Sequence, residues 1–157
     1  MTPSTMTIGS KPSRLDQRVM DTLIEKHIFK REIITRDLLG RKPKYHIQIS
    51  FTEPEHFKKH GANYSHLDAR VVPYYTRAIE SVDHILIPHM TKLGFTVVVT
   101  YNKNFHAVNV YNGNDDKPLA NVIHESRTIA ISTACLNALN PDLDSTYIRR
   151  LAEDMKK

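Results

Sequence analysis

"FTVVVTYNKNFHAVNVYNGNDDKPLANVIHE", residues Phe95–Glu125, is the stretch that decides the fold. It contains three runs in which apolar and polar residues alternate, and this period of two is typical of strands with one buried face. The links between the runs are Asn102–Asn104 and Asn112–Lys117. Both are shorter than the roughly twelve residues that a parallel crossover needs. The stretch therefore predicts an antiparallel meander of three strands.

Helical patterns flank the meander on both sides. Apolar residues recur with a helical period over residues 79–93, and Gly94 supplies a C-terminal stop. Pro88 interrupts this pattern, so we expect a kink or a short break there, because proline removes a helix hydrogen bond. Small apolar residues with helical spacing over 129–139 predict a second helix that lies close to the sheet.

An N-terminal helix is predicted by the capping box Ser13–Asp16. Apolar residues at steps of four follow over residues 15–27 and give the helix one hydrophobic face. The helical pattern continues weakly through the basic residues that come next. We expect Gly40 and Pro43 to end it.

The region between the first two predicted helices gives weaker signals. Tyr45–Phe51 alternates and predicts a fourth strand. The polar residues 52–75 predict a long surface loop with a helical turn near 55–60. Beyond the last core helix, an amphipathic pattern in 140–157 predicts a C-terminal helix.

Together these elements predict an α+β fold, an antiparallel meander of three or four strands packed with three to four helices. A chain of 157 residues with 40% hydrophobic residues is long enough to build its own core. We divide it into a flexible tail at 1–12, a single domain at 13–139 with an insertion at about 30–71, and the C-terminal helix at 140–157.

Cysteine content and hydropathy predict the cellular environment of the protein. The single cysteine, Cys135, lies within an apolar helical pattern and excludes an internal disulfide. We expect a buried, unreactive thiol in a cytosolic, reducing environment. No hydrophobic run reaches the roughly 18 residues of a membrane span, so the sequence predicts no membrane partner.

The net charge of +5 is concentrated in the segment Lys30–Lys44. Six cations and two carboxylates give this segment a local balance of +4. Such a segment attracts polyanions or phosphates, and the alternative is an ordinary solvated surface. The candidate residues of this basic patch are Arg36, Arg41, Lys42 and Lys44.

Two predicted helix starts carry a similar polar pattern. A helix N-terminus presents unsatisfied amides and partial positive charge, and an arginine adds a guanidinium fork that suits phosphate. Tyrosine rings can stack on a base. The alternative is ordinary capping with arginines that face solvent. The candidate ligand-binding residues are Tyr74, Tyr75, Thr76 and Arg77 at one start, and Ser126, Arg127 and Thr128 at the other.

No pattern in the sequence predicts catalysis. The chain has neither a phosphate-binding glycine loop nor a nucleophile elbow. His56 and His60 have the spacing of a helical metal pair, but no third ligand follows at a characteristic distance. His124 and Glu125 are neighbours on a predicted strand and would point to opposite faces. We therefore predict no catalytic residue, no metal and no cofactor.

Three segments together carry a family resemblance, and they are LDQRVMDTLIEK at 15–26, VPYYTRAIESVDHILIPHM at 72–90 and SRTIAISTACLNAL at 126–139. They resemble the small phage-encoded proteins of the phage ABA sandwich family. The resemblance implies the fold of that family, most of whose members have no assigned activity. The chain departs from the family pattern in a longer segment at about 29–71 and in an additional last helix.

A looser similarity is to phage proteins that sequester cyclic ADP-ribose-type signals of the Thoeris defence system. It rests on size, on element order and on an arginine near the last core helix. It implies a non-enzymatic protein that sequesters a phosphate-bearing, nucleotide-type ligand in the host cytoplasm, as a homo-oligomer. One alternative is a phage accessory protein that binds nucleic acid or a host protein through the basic segment 30–44, and another is a structural phage protein with no ligand.

Overall fold

The computed structural model describes residues 12–36, 47–51, 69–142 and 150, and the statements below concern this part of the chain. Residues 1–11, the turn predicted near 55–60 and most of the predicted C-terminal helix lie outside it. The helices and strands in chain order are α1 (Arg14–His27), β1 (Ile33–Arg36), β2 (Ile47–Phe51), β3 (Ala69–Val71), α2 (the contiguous segments Ile79–Ser81, Val82–Leu86 and Ile87–Lys92), β4 (Phe95–Asn102), β5 (Phe105–Asn112), β6 (Ala120–His124) and α3 (Arg127–Leu139). The α+β class is confirmed.

Strands β4, β5 and β6 form the predicted antiparallel meander in that order. The register of the first pair is unbroken, from Phe95 opposite Asn112 to Asn102 opposite Phe105. Lys103 has a φ of 56° in the link between them. A left-handed residue of this kind suits a two-residue hairpin turn, because its twist matches that of the flanking strands. Alternation and a short link are therefore sufficient to specify this sheet.

A second antiparallel sheet, in the order β1-β2-β3, was only partly anticipated by the sequence patterns. The expectation that the first helix continues through the basic residues is wrong, because α1 ends at His27 and Lys30 adopts a φ of 58°. The β-branched residues of Ile33–Arg36 then favour a strand. Ala69–Val71 forms a strand within the region predicted as a loop, and three residues are too few to show alternation.

Helix α2 continues through Pro88, where we expected a kink or a break. The turn that precedes the proline, Val82–Leu86, is π-helical, and the N–H of Ile87 donates to the carbonyl of Val82. A proline ring clashes with the carbonyl four residues before it, and a wider turn changes that geometry. Gly94, with a φ of 95°, follows the helix as its predicted stop.

Helix α3 is the central element of the core, since every residue from Thr128 to Asn137 is buried. It packs against β5, β6, α1 and the π-helical turn of α2. Cys135 is fully buried within it, as expected, and burial raises the pKa of its thiol to about 12. Among the described helices, none has the length and hydrophobicity needed to cross a membrane.

Candidate ligand-binding surface

Helix α1 holds the segment 72–76 in place through polar side chains. Arg18 donates to two backbone carbonyls of this segment and forms an ion pair with Asp21 at 3.1 Å. The carboxylate of Asp21 also accepts the backbone N–H and the hydroxyl of Thr76, both at 2.9 Å. These contacts fix the backbone immediately before α2. Thr76, a predicted ligand-binding residue, is 2% exposed and serves this structural link.

Tyr75 extends the same network into the core. Its ring is fully buried, and its hydroxyl donates to the carboxylate of Glu25. Arg31 donates to both oxygens of that carboxylate, at 3.1 and 2.9 Å. A buried carboxylate requires such partners, because an unpaired charge in the interior is costly. Of the two tyrosines predicted to stack on a base, Tyr75 therefore does not reach the surface.

Burial is the main influence on the pKa of Asp21. It raises the pKa of this carboxyl from 3.8 to about 6, against the opposing effects of the hydrogen bonds from Thr76 and the charge of Arg18. Desolvation disfavours the charged form, whereas donors and a nearby cation favour it. The raised pKa shows that the loss of hydration outweighs the partners at this position.

At the start of α3, side chains of the chain itself bind the helix N-terminus. Ser126, a candidate ligand-binding residue, is the N-cap, and its hydroxyl accepts the N–H of Ile129 at 3.3 Å. The same hydroxyl lies 3.0 Å from that of Thr128. The N–H of Ser126 donates to Nδ1 of His124 at 2.9 Å. A bound anion would have to compete with these groups for the first turn of α3.

Arg127 is also engaged, because it forms an ion pair with Asp83 of α2 at 2.8 Å. Both side chains are 34% exposed, so the pair lies at the surface. Next to it, the hydroxyl of Thr128 donates to the carbonyl of Thr76 at 2.7 Å. This bond joins the two predicted helix starts directly. The residues around 76–77 and 126–128 therefore belong to one region of the molecule.

The start of α2 differs from that of α3, because no side chain caps it. The helix begins at Ile79, after the position expected from the sequence, and Ala78 is the N-cap. The side chain of alanine carries no hydrogen-bonding group. Arg77 and Ala78 form the turn before the helix, where both N–H groups donate to the carbonyl of Tyr74. The first turn of α2 thus has no side-chain acceptor of the kind that Ser126 provides at α3.

Beside this uncapped start lies a surface group that we call the Tyr74 cluster, consisting of Arg18, Tyr74 and Arg77. Tyr74 is 45% exposed. The guanidinium carbon of Arg18 lies 4.1 Å from the centroid of its ring, and that of Arg77 lies 5.7 Å from it. Arg77 is exposed and forms no ion pair with any residue in the described ranges. The cluster presents to solvent a tyrosine ring and a cation that has no ion-pair partner among the described residues.

The other candidate residues are less informative. Arg36 ends β1, and Arg41, Lys42 and Lys44 of the basic patch lie outside the described residues. So do His56 and His60. Within the ranges that the structure describes, no three histidine, cysteine or acidic side chains come together as a metal site would require. His124 is buried and Glu125 exposed, so the two do not form an acid–base pair.

Sequence reasoning missed the acidic residues that organise this surface. Asp21 and Glu25 are fully buried, and each directly follows a buried apolar residue of α1. They lie at the edge of the apolar face, and their spacing of four does not distinguish them from exposed carboxylates. For Asp83 no signal exists either, because its partner Arg127 is 44 residues away in the sequence.

Comparisons with protein-family models, with curated proteins and with solved structures returned no match. The resemblance to the phage ABA sandwich family therefore stays a prediction. What the structure establishes is an α+β fold in which two arginine-bearing helix starts adjoin and differ in how their amides are satisfied.

Proposed function

We propose that this protein is a non-catalytic binding protein for a phosphate-bearing, nucleotide-type ligand, held by the Tyr74 cluster and the start of α2. The observation that carries this proposal is the exposed ring of Tyr74 near two guanidinium groups, one of which, on Arg77, has no described ion-pair partner. A tyrosine face and an arginine fork are the groups that recognise a base and a phosphate.

The charges around the cluster support an anionic ligand. Arg18 is already bound to Asp21 and to backbone carbonyls, so it orients the ring of Tyr74 from one side. Arg77 has no ion-pair partner among the described residues and can bind phosphate through two parallel N–H bonds. The amides of the uncapped first turn of α2 add partial positive charge. The exposed carboxylate of Glu80 lies in the same turn and opposes an anion there.

Arg127 is a further cation of this region, and its ion pair with Asp83 limits the access of a ligand to its guanidinium group. The two side chains form an ion pair that is one-third exposed, and such surface pairs contribute only about 0–1 kcal/mol. A phosphate with more than one negative charge can therefore compete with Asp83 for the guanidinium group. A ligand that spans Arg77 and Arg127 would use both of the predicted helix starts.

The biological setting comes from the resemblance to phage proteins. In this proposal the chain is phage-encoded, acts in the host cytoplasm and captures a nucleotide signal of host defence without converting it. Sequestration requires an affinity high enough to lower the free ligand, and it needs no catalytic group. The proposed assembly is a homo-oligomer.

Thermal unfolding with a panel of ligands tests the proposal. Inorganic phosphate, linear nucleotides and cyclic nucleotides are added at concentrations up to millimolar, and a ligand that binds only the folded state raises the Tm. At least one nucleotide should raise the Tm more than phosphate alone. If no member of the panel stabilises the protein, the proposal is wrong.

Two variants locate the binding surface. Arg77→Ala should weaken binding of the stabilising nucleotide by roughly tenfold, the effect of about 1.5 kcal/mol that a charged hydrogen bond contributes. Lys117→Ala removes an exposed cation in the β5–β6 link and should leave the affinity unchanged. Equal losses in both variants would indicate general charge attraction in place of a site.

Salt dependence separates the proposal from the nucleic-acid alternative. Binding of the phosphate backbone of nucleic acid weakens by orders of magnitude between 50 and 200 mM salt when several phosphates are contacted. Capture of one nucleotide by Arg77 and Tyr74 should weaken far less. Retention of long single-stranded nucleic acid that disappears over this range, without any nucleotide affinity, would favour the alternative.

A further inference from the structure

Strand β4 is a free edge of the meander. The sheet order is β4-β5-β6, so β5 pairs with one side of β4 and no described strand pairs with the other. Its eight residues run in unbroken register without a bulge. An edge of this kind presents a row of unpaired N–H and C=O groups, which is a template for another strand.

The sequence of β4 lacks the features by which proteins usually protect an edge. The strand reads FTVVVTYN, with no charged residue, no proline and no glycine. Residues 96–100 are all β-branched, and such residues favour a strand. The opposite edge, β6, has only five residues, and its last residue, His124, accepts a hydrogen bond from the start of α3. Of the two meander edges, β4 is therefore the one suited to pairing.

Burial across the meander also identifies β4 as the incomplete side. On the face that packs against the core, Val108 of β5 is fully buried and Val122 of β6 is 3% exposed. The equivalent residues of β4, Val97 and Val99, are only partly buried. An additional strand beside β4 would extend the sheet and cover this apolar margin.

We propose that a second copy of this chain pairs antiparallel with β4, so that two meanders form one continuous six-stranded sheet about a two-fold axis. In such a pairing the strand meets its own sequence, so a charged residue at the two-fold axis would face its own copy at close range. The strand carries none, although the chain has a net charge of +5. A neutral strip is the place where two basic copies approach each other with the least repulsion.

The register of the pair follows from geometry. Residues directly opposite each other in an antiparallel pair point to the same face of the sheet. The two registers with the greatest overlap therefore place Val98 opposite its own copy or opposite Thr100 of the second copy. Both residues are exposed on the outer face of the sheet. Lysines at both positions would face each other in either register without entering the core.

Sedimentation equilibrium of the full chain tests the pairing. The wild type should have twice the chain mass of 18.1 kDa at micromolar concentration. The double variant Val98→Lys, Thr100→Lys should sediment as a monomer and keep the circular dichroism spectrum and cooperative unfolding of the wild type. The matched control is Ile123→Lys, which adds a cation to the same outer face on β6, where Ile123 is 63% exposed. It should remain a dimer.

Each other result overturns the proposal. A wild type that sediments as a monomer at all concentrations shows that this edge does not bind a second copy. A dimer that survives the two lysines uses another surface, and so does one that dissociates in the Ile123→Lys control. If the double variant does not fold, hydrogen exchange of the wild type decides, because pairing protects amides on the outer edge of β4 and a free edge leaves them unprotected.

Discussion

The starts of α2 and α3 resemble each other in sequence and differ in chemistry. Each has threonine and arginine side by side, and the hydrogen bond from Thr128 to the carbonyl of Thr76 brings them together. At α3 the cap is Ser126 and the arginine is paired with Asp83. At α2 the N-cap is Ala78 and the arginine faces solvent beside Tyr74. A pattern of residue types therefore identifies a helix start, and the groups around it decide whether a ligand can bind there.

The largest expected change in stability comes from removing the buried side chain of Glu25, which supports the segment before α2. Glu25→Ala leaves Arg31 and the hydroxyl of Tyr75 without their buried partner. Breaking one side of a buried ion pair costs about 3–5 kcal/mol, so the variant should unfold at much lower denaturant concentration. Urea titration measures this change. Glu80→Ala, an exposed carboxylate at the α2 start, should change stability by no more than about 0.5 kcal/mol. Equal effects would show that the buried network does not support the segment.

The next largest expected change is a pH dependence of stability that comes from Asp21, which also supports the segment before α2. The folded-state pKa of Asp21 is about 6, above its ordinary value of 3.8, so the folded protein holds this proton more tightly than the unfolded chain. The stability that comes from the protonated carboxyl is fully present below about pH 4 and is lost as the pH rises to about 6. A shift of this size corresponds to roughly 3 kcal/mol.

The matched control for this pH effect is Asp21→Asn, which has no titrating group at the position. Urea unfolding of both proteins from pH 4 to pH 7 gives the difference in stability at each pH. The wild type should lose stability relative to the variant as the pH rises through this window. Parallel profiles would mean that Asp21 keeps its ordinary pKa in the folded protein.

Exchanging the caps tests the comparison directly. Ser126→Ala removes the cap of α3 and should lower stability by about 1 kcal/mol. Ala78→Asp adds a cap to α2, where the backbone of Ala78 is already extended as an N-cap requires, and should raise stability by a similar amount. The new carboxylate should also weaken nucleotide binding. An Ala78→Asp variant with full affinity would show that the α2 start is not part of the site.

The smallest expected effect is the change in nucleotide affinity when the ion pair between Asp83 and Arg127 is removed. Asp83→Asn releases the guanidinium group of Arg127 and should strengthen nucleotide binding by a few-fold, about 0.5–1 kcal/mol. In an Arg127→Ala background the same substitution should change nothing, because the cation that it releases is absent. Calorimetric titration of the four proteins gives this comparison as a double-mutant cycle. An unchanged affinity in Asp83→Asn would limit the proposed site to the α2 start.

The sequence predicted the parts of the fold that depend on near neighbours. The alternation of residues 95–125 predicted the meander, and the capping box predicted the cap at Ser13. The sequence left open whether Ser126 caps α3 or binds a ligand, and the structure shows the cap. Strands β1 and β3 were missed, since they are short and each is defined by its pairing with β2. Tyr74 and Tyr75 could not be told apart, because adjacent residues point in different directions and only packing shows which one is buried.

By itself, the sequence determined the three helices of the core, the strands of the meander and where two arginines precede or begin a helix, because alternation, helical period and capping act over a few residues. Only the tertiary structure decided that Asp83 forms an ion pair with Arg127 and that Asp21 accepts hydrogen bonds from Thr76. These partners come from positions 44 and 55 residues apart in the chain. Electrostatic pairing depends on distance in space, so folding itself decides that, among the described residues, the arginine at α3 has an ion-pair partner and the arginine at α2 has none.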